Sequence, residues 1–183
     1  MRLPYVTDPP SVTSAVEEDI VHRIRARRAP HPLQPLDLTL LHAPPVADGW
    51  NAFLGAIRER TSLPADIREV AICRVAVLNG AWYEWAHHAP LALAAGVSDE
   101  GMRALRETGG EGGGLTERQA AVVAYADAMT REVRVRGEVF GRVRALFGER
   151  GVVEITATVA AYNCVSRFLV ALDVGERNGE EPE

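Results

Sequence analysis

A carboxylate and an imidazole, Glu84 and His88, lie four residues apart in the segment YEWAHH, whose other side chains are mostly apolar. On an α-helix, residues with this spacing share one face and lie about one turn apart. A second acidic residue, Glu69, lies one predicted helix earlier in the sequence. The spacing therefore predicts that three titratable groups converge on one site, where carboxyl groups and an imidazole could transfer protons.

The same pair also fits a simpler interpretation. Exposed carboxylate–imidazole pairs at this spacing occur on helix surfaces and contribute only about 0.3–0.5 kcal/mol. The neighbouring Trp82, Trp85, Leu91 and Leu93 leave little of this helix facing water. At this point the residues alone leave a surface ion pair and a buried functional site both open.

Hydrophobic periodicity predicts a succession of helices from Ala47 onward. Trp50, Phe53, Leu54 and Ile57 recur at helical intervals and predict a helix over 48–60. Further helices are predicted over 64–79, 81–95, 98–105, 137–147 and 151–172, and another begins at Thr116. No strand pattern with turn chemistry is present, so the predicted fold class is all-α.

The chain length of 183 residues fits one domain with an arm. Residues 1–45 are rich in proline and are predicted to form an N-terminal arm with one short helix, which begins near Ser14. Residues 46–175 are predicted to form the helical domain. Residues 176–183 are predicted to form a polar C-terminal tail.

Composition limits which binding partners and which cellular compartment are expected for this chain. A net charge of −5 gives no general attraction to nucleic acid or to an anionic membrane, so neither is expected as a partner. The longest apolar run, 152–174, contains Glu154, Asn163, Arg167 and Asp173 and is interpreted as a core helix. Two widely separated cysteines and the lack of a secretory leader predict a reduced, cytoplasmic setting.

The segment REVAICRVAVLNGAWYEWAHHAPLALAAG resembles the carboxymuconolactone decarboxylase family, which includes the alkylhydroperoxidase D-like (AhpD-like) proteins. The family's peroxidases carry a Glu, then Cys-x-x-Cys, then a His. In that register this chain has Glu69 and His88, but Ala81 and Glu84 replace the two cysteines. The similarity extends to LLHAPPVADGWNAF before this segment and to TERQAAVVAYADAMT and VVEITATVAAYNCVSRFLVALDV after it.

The resemblance implies an AhpD-like all-helical fold that assembles as a homo-oligomer, a trimer or a hexamer. It also implies chemistry without a metal or an organic cofactor. Thiol peroxidase activity needs an attacking thiolate and a resolving thiol, which Ala81 and Glu84 do not supply. Cys73 could serve a residual peroxidase activity, although both Cys73 and Cys164 also fit the role of small buried apolar residues.

By this similarity we expect decarboxylase-like (lyase) acid/base chemistry on a small carboxylated or carbonyl-bearing molecule. Glu69 and Glu84 are the acid/base candidates, because two carboxyl groups close together in a shielded site would share a proton, and His88 is the candidate relay. The alternative is a non-catalytic oligomeric binding protein that kept the fold.

Other residues are candidates for contact with the substrate. Arg74 and Arg167 could pair with a substrate carboxylate, and Trp82, Tyr83 and Trp85 could line a pocket for a flat ligand. His87 is a further candidate for substrate contact. Arg74 and Arg167 also fit structural ion pairs. The Glu-x-x-His spacing of Glu84 and His87 occurs in di-iron bundles, but no second copy is present, so no metal site is predicted.

Overall fold

Helices make up the regular structure of residues 1–107 and 113–181, which are the residues that the computed structural model describes. The first four are α1 (Ala15–Arg28), α2 (Pro35–Leu40), α3 (Pro44–Gly55) and α4 (Ala65–Leu78). The others are α5 (Trp82–Ala94), α6 (Asp99–Arg106), α7 (Glu117–Asp127) and α8 (Gly137–Leu172). Two π-helical turns, Ala56–Arg60 and Ala128–Glu132, extend α3 and α7, and a 3-10 turn, Val174–Glu176, follows α8. No strand occurs in these residues, and the all-α prediction is confirmed.

Helix α4 is the centre of the molecule and packs against α5, α6, α7 and α8. It is buried around its whole circumference from Ile67 to Ala76, including the polar residues Glu69 and Arg74. A helix that is apolar on nearly all sides must lie inside its domain, because no face of it is suited to water. Polar groups on α4 therefore need partners from the surrounding helices.

Helix α8 contains the break that the sequence predicts between two helical stretches. Gly148 has a φ of 67°, which lies outside the helical region and divides Gly137–Leu172 into two segments. By length and composition alone this helix could cross a membrane. In the fold, however, its second segment packs into the core through buried residues that include Ile155, Val159, Tyr162 and Leu169.

The N-terminal arm differs from its prediction, because it contains two helices, α1 and α2, instead of one. The predicted helix over 48–60 also begins earlier, at Pro44, since proline is tolerated in the first turn of a helix. The arm folds back on its own chain: the amino group of Met1 pairs with Asp173 and Glu176 at 3.3 and 3.1 Å. Residues 182 and 183 of the predicted tail lie outside the described residues.

The two cysteines have different environments. Cys73 is completely buried on α4, as its pattern predicts, whereas Cys164 on α8 is exposed. The prediction that Cys164 is buried is therefore wrong. Apolar periodicity placed α8 in the core, but its outward face also carries small residues.

Arg74 is a structural residue of α4. Its guanidinium is 1% exposed and donates two hydrogen bonds to Asp127, at 2.5 and 2.8 Å. It also donates to the carbonyl oxygens of Leu105 and Glu107. These bonds join α4, α6 and α7 and occupy Arg74, so its assignment to a substrate carboxylate is wrong.

We predict that Asp127→Ala lowers the free energy of unfolding by about 3 kcal/mol, because it leaves the buried guanidinium of Arg74 without its counter-charge. Urea denaturation followed by circular dichroism measures the change. Glu132→Ala, at an exposed ion pair with Arg136, is the matched control and should cost less than about 1 kcal/mol. Equal effects of the two substitutions would contradict the structural role of Arg74.

Candidate functional site

A hydrogen-bonded chain of four side chains connects four helical elements in the interior. Oε2 of Glu69 on α4 lies 2.7 Å from Nδ1 of His88 on α5. Nε2 of His88 lies 3.3 Å from the hydroxyl of Tyr162 on α8. The same hydroxyl accepts a hydrogen bond from Nε of Arg58, at 2.7 Å, in the π-helical turn after α3.

The donors and acceptors in this chain fix the direction of every hydrogen bond. Arg58 can only donate, so the oxygen of Tyr162 accepts from it and its O–H is free to donate to Nε2 of His88. An ionised Glu69 can only accept, so Nδ1 of His88 carries the ring proton. Neutral His88 therefore has its lone pair on Nε2, engaged only by a long contact to Tyr162.

Burial and hydrogen bonding act in opposite directions on this pair. Burial alone would raise the pKa of Glu69, but hydrogen bonds and charge from His88 and Arg68 lower that pKa below its ordinary value. Burial lowers the pKa of His88 and outweighs the opposite effect of Glu69, and Arg58 lowers it further. Near neutral pH the arrangement is an ionised Glu69 and a neutral imidazole.

Glu84 has the opposite protonation state. It is 2% exposed, and its carboxyl group accepts hydrogen bonds from Oγ of Ser166, at 3.1 Å to each oxygen. Burial raises the pKa of Glu84 well above its ordinary value, although Ser166 and the positive charge of Arg58 act against this. A protonated carboxyl group is therefore available beside His88 near neutral pH.

A cavity of about 230 Å³ opens onto this part of the interior. Glu84 and His88 are buried and line its inner part, whereas His87 and Leu91 line it with exposed side chains. The other lining residues are Arg28, Gln34, Leu36, Arg58, Tyr83, Val165 and Leu169. The cavity therefore gives a small molecule access to both Glu84 and His88.

The structure brings the three predicted titratable residues into one buried region but does not pair the two carboxyl groups. Glu69 hydrogen-bonds His88, Glu84 hydrogen-bonds Ser166, and no hydrogen bond joins Glu69 to Glu84 among the described residues. Glu69 is also absent from the lining of the cavity. The sequence predicted that repulsion between two carboxylates would raise the pKa of one of them. In the structure, burial raises the pKa of Glu84 instead.

Of the predicted substrate contacts, Tyr83 and His87 line the cavity; Arg74, Trp82, Trp85 and Arg167 do not. Trp85 is buried and lies 6.0 Å from the guanidinium carbon of Arg106, while Trp82 packs against the core. Arg167 is exposed and hydrogen-bonds Asn163, one turn earlier on α8. These four residues therefore serve packing or surface contacts in this chain.

Four residues of the site were not predicted: Arg28, Arg58, Tyr162 and Ser166. The signal for two of them is the polar pair Tyr162 and Ser166, spaced one turn apart in an otherwise apolar helix. Arg58 carries no such signal, because only tertiary packing brings it to Tyr162, 104 residues away.

The described residues contain no group of three or more His, Cys, Asp or Glu side chains that could hold a metal ion. The two residues with Glu-x-x-His spacing, Glu84 and His87, have separate partners. Glu84 accepts a hydrogen bond from Ser166, and Nδ1 of His87 lies 2.8 Å from the carbonyl oxygen of Tyr83.

The class of protein follows from this helical fold and from a comparison of the sequence with family models. Residues 44–128 match the model of the carboxymuconolactone decarboxylase family. These residues contain α3 to α7 and both Glu69 and His88. This segment of the chain therefore matches the carboxymuconolactone decarboxylase family, and the resemblance noted in the sequence is confirmed.

Solved structures share the fold at low sequence identity. An alkylhydroperoxidase AhpD core protein, an uncharacterized peroxidase-related protein from Ralstonia eutropha JMP134, has a TM-score of 0.78 at 18% identity, covering 100% of this chain and 97% of that one. The debrominase Bmp8, a cysteine-to-alanine variant in complex with 2,3,4-tribromopyrrole, has a TM-score of 0.70 at 19% identity, with coverages of 90% and 92%.

A third structure is a protein of unknown function from Agrobacterium tumefaciens, provisionally assigned as the antioxidant defence protein AhpD. It has a TM-score of 0.68 at 20% identity and covers 74% of this chain and 92% of its own. Among curated proteins, no relative matches this chain. The neighbours establish an AhpD-like fold.

We predict that Glu84→Gln makes the protein relatively more stable than the wild type as pH rises from 5 to 8. In the wild type the folded state keeps the Glu84 proton while the unfolded state loses it, so stability falls as pH rises toward the raised pKa, by at most about 1.4 kcal/mol per pH unit. A Gln amide keeps the shape without that ionisation. Thermal melting at both pH values measures the difference.

The control is Glu138→Gln, which changes an exposed carboxylate on the first segment of α8. Its melting temperature should follow the wild-type value at both pH values. If Glu84 were ionised at pH 7, the stability difference between Glu84→Gln and the wild type would not change with pH. That result would contradict the prediction.

Proposed function

We propose that this protein is an enzyme that transfers protons at a carbon atom next to a carbonyl group of a small molecule, including decarboxylation of such a molecule. The single observation that carries the proposal is geometric: the buried side chains of Glu84 and His88 line one cavity, and Oε2 of Glu69 lies 2.7 Å from Nδ1 of His88, which leaves Nε2 as the basic nitrogen. Neutral His88 supplies a base at Nε2, and protonated Glu84 supplies an acid. Acid and base working together in this way typically accelerate a reaction about 10²–10⁴-fold each.

Each residue of the site has a distinct role in this proposal. The acid, Glu84, donates a hydrogen bond to the substrate carbonyl oxygen, where negative charge develops. The base, His88, removes a proton from the neighbouring carbon, and Glu69 holds its ring in the tautomer that exposes Nε2. Glu69 is thus a positioning residue, because it does not line the cavity.

Decarboxylation uses the same groups. The bond between the substrate carbon and its carboxylate breaks, CO₂ leaves, and the electron pair remains on the carbon, conjugated with the carbonyl group. A proton from Glu84 then completes the C–H bond, and His88 relays a proton from solvent back to Glu84. The family match and the lack of a cysteine in the cavity lining both support this class of reaction.

Thiol chemistry fits the site poorly. No cysteine lines the cavity, and the family's two cysteine positions hold Ala81 and Glu84. Cys73 is fully buried, and burial, followed by the charges of Glu69 and Glu84, raises its pKa well above the ordinary value. A buried neutral thiol is a poor nucleophile toward peroxide or a halogenated ring.

A panel of β-keto acids and carboxylated lactones tests the proposal. Release of CO₂ and uptake of deuterium into the product in D₂O, followed by NMR, measure turnover. We predict that His88→Gln and Glu84→Gln each lower kcat at least about 100-fold, because each removes one proton-transfer group. Glu69→Gln should lower kcat as well, since an amide no longer fixes the tautomer of His88.

Glu138→Gln is the control for this experiment and should retain full turnover. Binding of a panel compound without turnover in the wild type would instead support a non-catalytic binding protein on the same fold. Turnover that survives in both His88→Gln and Glu84→Gln would remove both residues from the catalytic roles assigned here.

We also propose that the chain forms a homo-oligomer. Its exposed large apolar side chains include Phe53, Leu91 and Leu93, each about half exposed, and association would remove them from water. Light scattering should give a mass that is a multiple of 19.9 kDa, with three or six copies expected from the family resemblance. A monomer mass at micromolar concentration would contradict this.

A further inference from the structure

Arg58 is a largely enclosed cation whose charge is not matched by a neighbouring carboxylate. Its Nε donates to Tyr162, and neither terminal amino group makes a hydrogen bond or an ion pair with the described residues. Burial acts to lower the pKa of Arg58, but Tyr162, Glu84 and Glu69 raise it above its ordinary value, so the group stays charged. Arg28 differs, because Asp37 accepts two hydrogen bonds from it, at 2.7 and 2.9 Å.

An enclosed guanidinium with free donors is costly unless an anion or water meets them. The two terminal amino groups of an arginine match the two oxygens of a carboxylate. Arg58 lines the cavity, so an anion that enters can reach it. Glu84 hydrogen-bonds Ser166 and makes no hydrogen bond or ion pair with Arg58 among the described residues, so it does not occupy this position.

A second lining residue also has an unused hydrogen-bonding group. The hydroxyl of Tyr83 is buried and donates no hydrogen bond to the described residues. Burial raises the pKa of Tyr83 to about 12, so the hydroxyl remains a donor near neutral pH. Buried polar groups without partners are rare in folded proteins, and at a cavity wall they are matched by a ligand or by water.

The charge of Arg58 also acts on His88 through a short path. Arg58 holds the oxygen of Tyr162, and the hydroxyl of Tyr162 faces Nε2 of His88. Arg58 is one of the groups that disfavour the protonated form of His88. An anion bound to the free amino groups of Arg58 would offset this positive charge.

We propose that Arg58 both anchors an anionic group of the ligand and controls His88: a carboxylate bound to its two free amino groups makes His88 a stronger base, so that the base is activated when the cavity is occupied. The biological use of this coupling rests on the proposed function, because His88 is the base of the proposed reaction. It depends physically only on Arg58, Tyr162 and His88, and it is measurable without turnover.

Several other groups face His88 and bear on its protonation. They are Glu69 and Cys73 on α4, Glu84 and His87 on α5, and Tyr162 on α8. Tyr162 does not titrate near neutral pH, because burial raises its pKa to about 12, and burial keeps Cys73 a thiol. Glu84 and His87 also line the cavity, and the charge of either would change anion binding, so the Glu84→Gln, His87→Gln background isolates His88.

Binding and protonation must be linked in both directions. If a bound anion favours protonated His88, then protonated His88 favours the anion by the same factor. Anion affinity should therefore be high at low pH and fall as pH rises through the titration of His88. The ligand's own charge must stay constant across this range for the effect to be assigned to the protein.

Trifluoroacetate is a suitable probe, because it remains ionised across the range, and trifluoroacetamide is its neutral analogue. ¹⁹F NMR measures both dissociation constants. We predict that the anion binds while the amide does not, and that Arg58→Met weakens anion binding at least about tenfold. In the Glu84→Gln, His87→Gln background, the Kd of the anion should rise about threefold or more between pH 5 and pH 8.

The protonation of His88 is measured by NMR of ¹⁵N-labelled histidine, with and without saturating trifluoroacetate. The titration midpoint of His88 should move to higher pH when the anion is bound. This movement should disappear in Arg58→Met and shrink in Tyr162→Phe, which retains Arg58 but removes the hydroxyl. Arg58→Lys keeps the positive charge but lacks the two terminal amino groups that bind both carboxylate oxygens. It provides a second test if Arg58→Met folds poorly.

Arg167→Met is the matched control, since Arg167 is exposed and does not line the cavity, and it should change neither measurement. Equal binding of anion and amide, no binding of the anion, unchanged binding in Arg58→Met, or an unmoved His88 titration would each overturn the proposal. Failure of turnover with intact coupling would overturn only the proposed acid/base reaction.

Discussion

The site depends on one buried hydrogen bond, between Glu69 on the central helix α4 and Nδ1 of His88 on α5. An imidazole and a carboxylate both lose hydration inside a protein, and each is acceptable there only because it satisfies the other. The bond sets the tautomer of His88 and presents Nε2 toward Tyr162. It also joins α4 to α5, the helix that carries Glu84 and His88 in the wall of the cavity.

Burial gives the two carboxyl groups different protonation states. Glu69 has donors on both oxygens, from Arg68 and His88, and remains ionised. Glu84 has only the hydroxyl of Ser166, which stabilises the ionised form too weakly to overcome burial. The difference in donors thus produces an acid and an oriented base from residues that lie close together, without repulsion between two carboxylates.

The arginines around the site also divide by their partners. Arg74 is held by Asp127 and two carbonyl oxygens, Arg28 by Asp37, and Arg68 by Glu69. Arg58 shares only its Nε, with Tyr162. A satisfied arginine stabilises the fold, whereas an arginine with free donors at a cavity can bind a ligand. Spacing along the chain does not show which arginines have partners. For this reason the sequence predicted Arg74 as a substrate contact and did not predict Arg58.

Local patterns were sufficient for much of the fold. Apolar periodicity, capping residues such as Thr116 and breaks at glycine or proline predicted α4 to α8 with small errors at their ends. The proline-rich arm was predicted less well, because prolines at helix starts resemble prolines in extended chain. The resemblance around Glu69 and His88 correctly indicated the family domain.

The amino-acid sequence by itself determined the helical class, the family and the presence of Glu69, Glu84 and His88 in one buried region, because these follow from periodicity and from spacing within neighbouring helices. Only the tertiary structure decided which groups meet and in which protonation state. Tyr162, Ser166 and Arg58 reach the site from distant segments, and burial and hydrogen-bond partners, which set each pKa, exist only after the helices have packed.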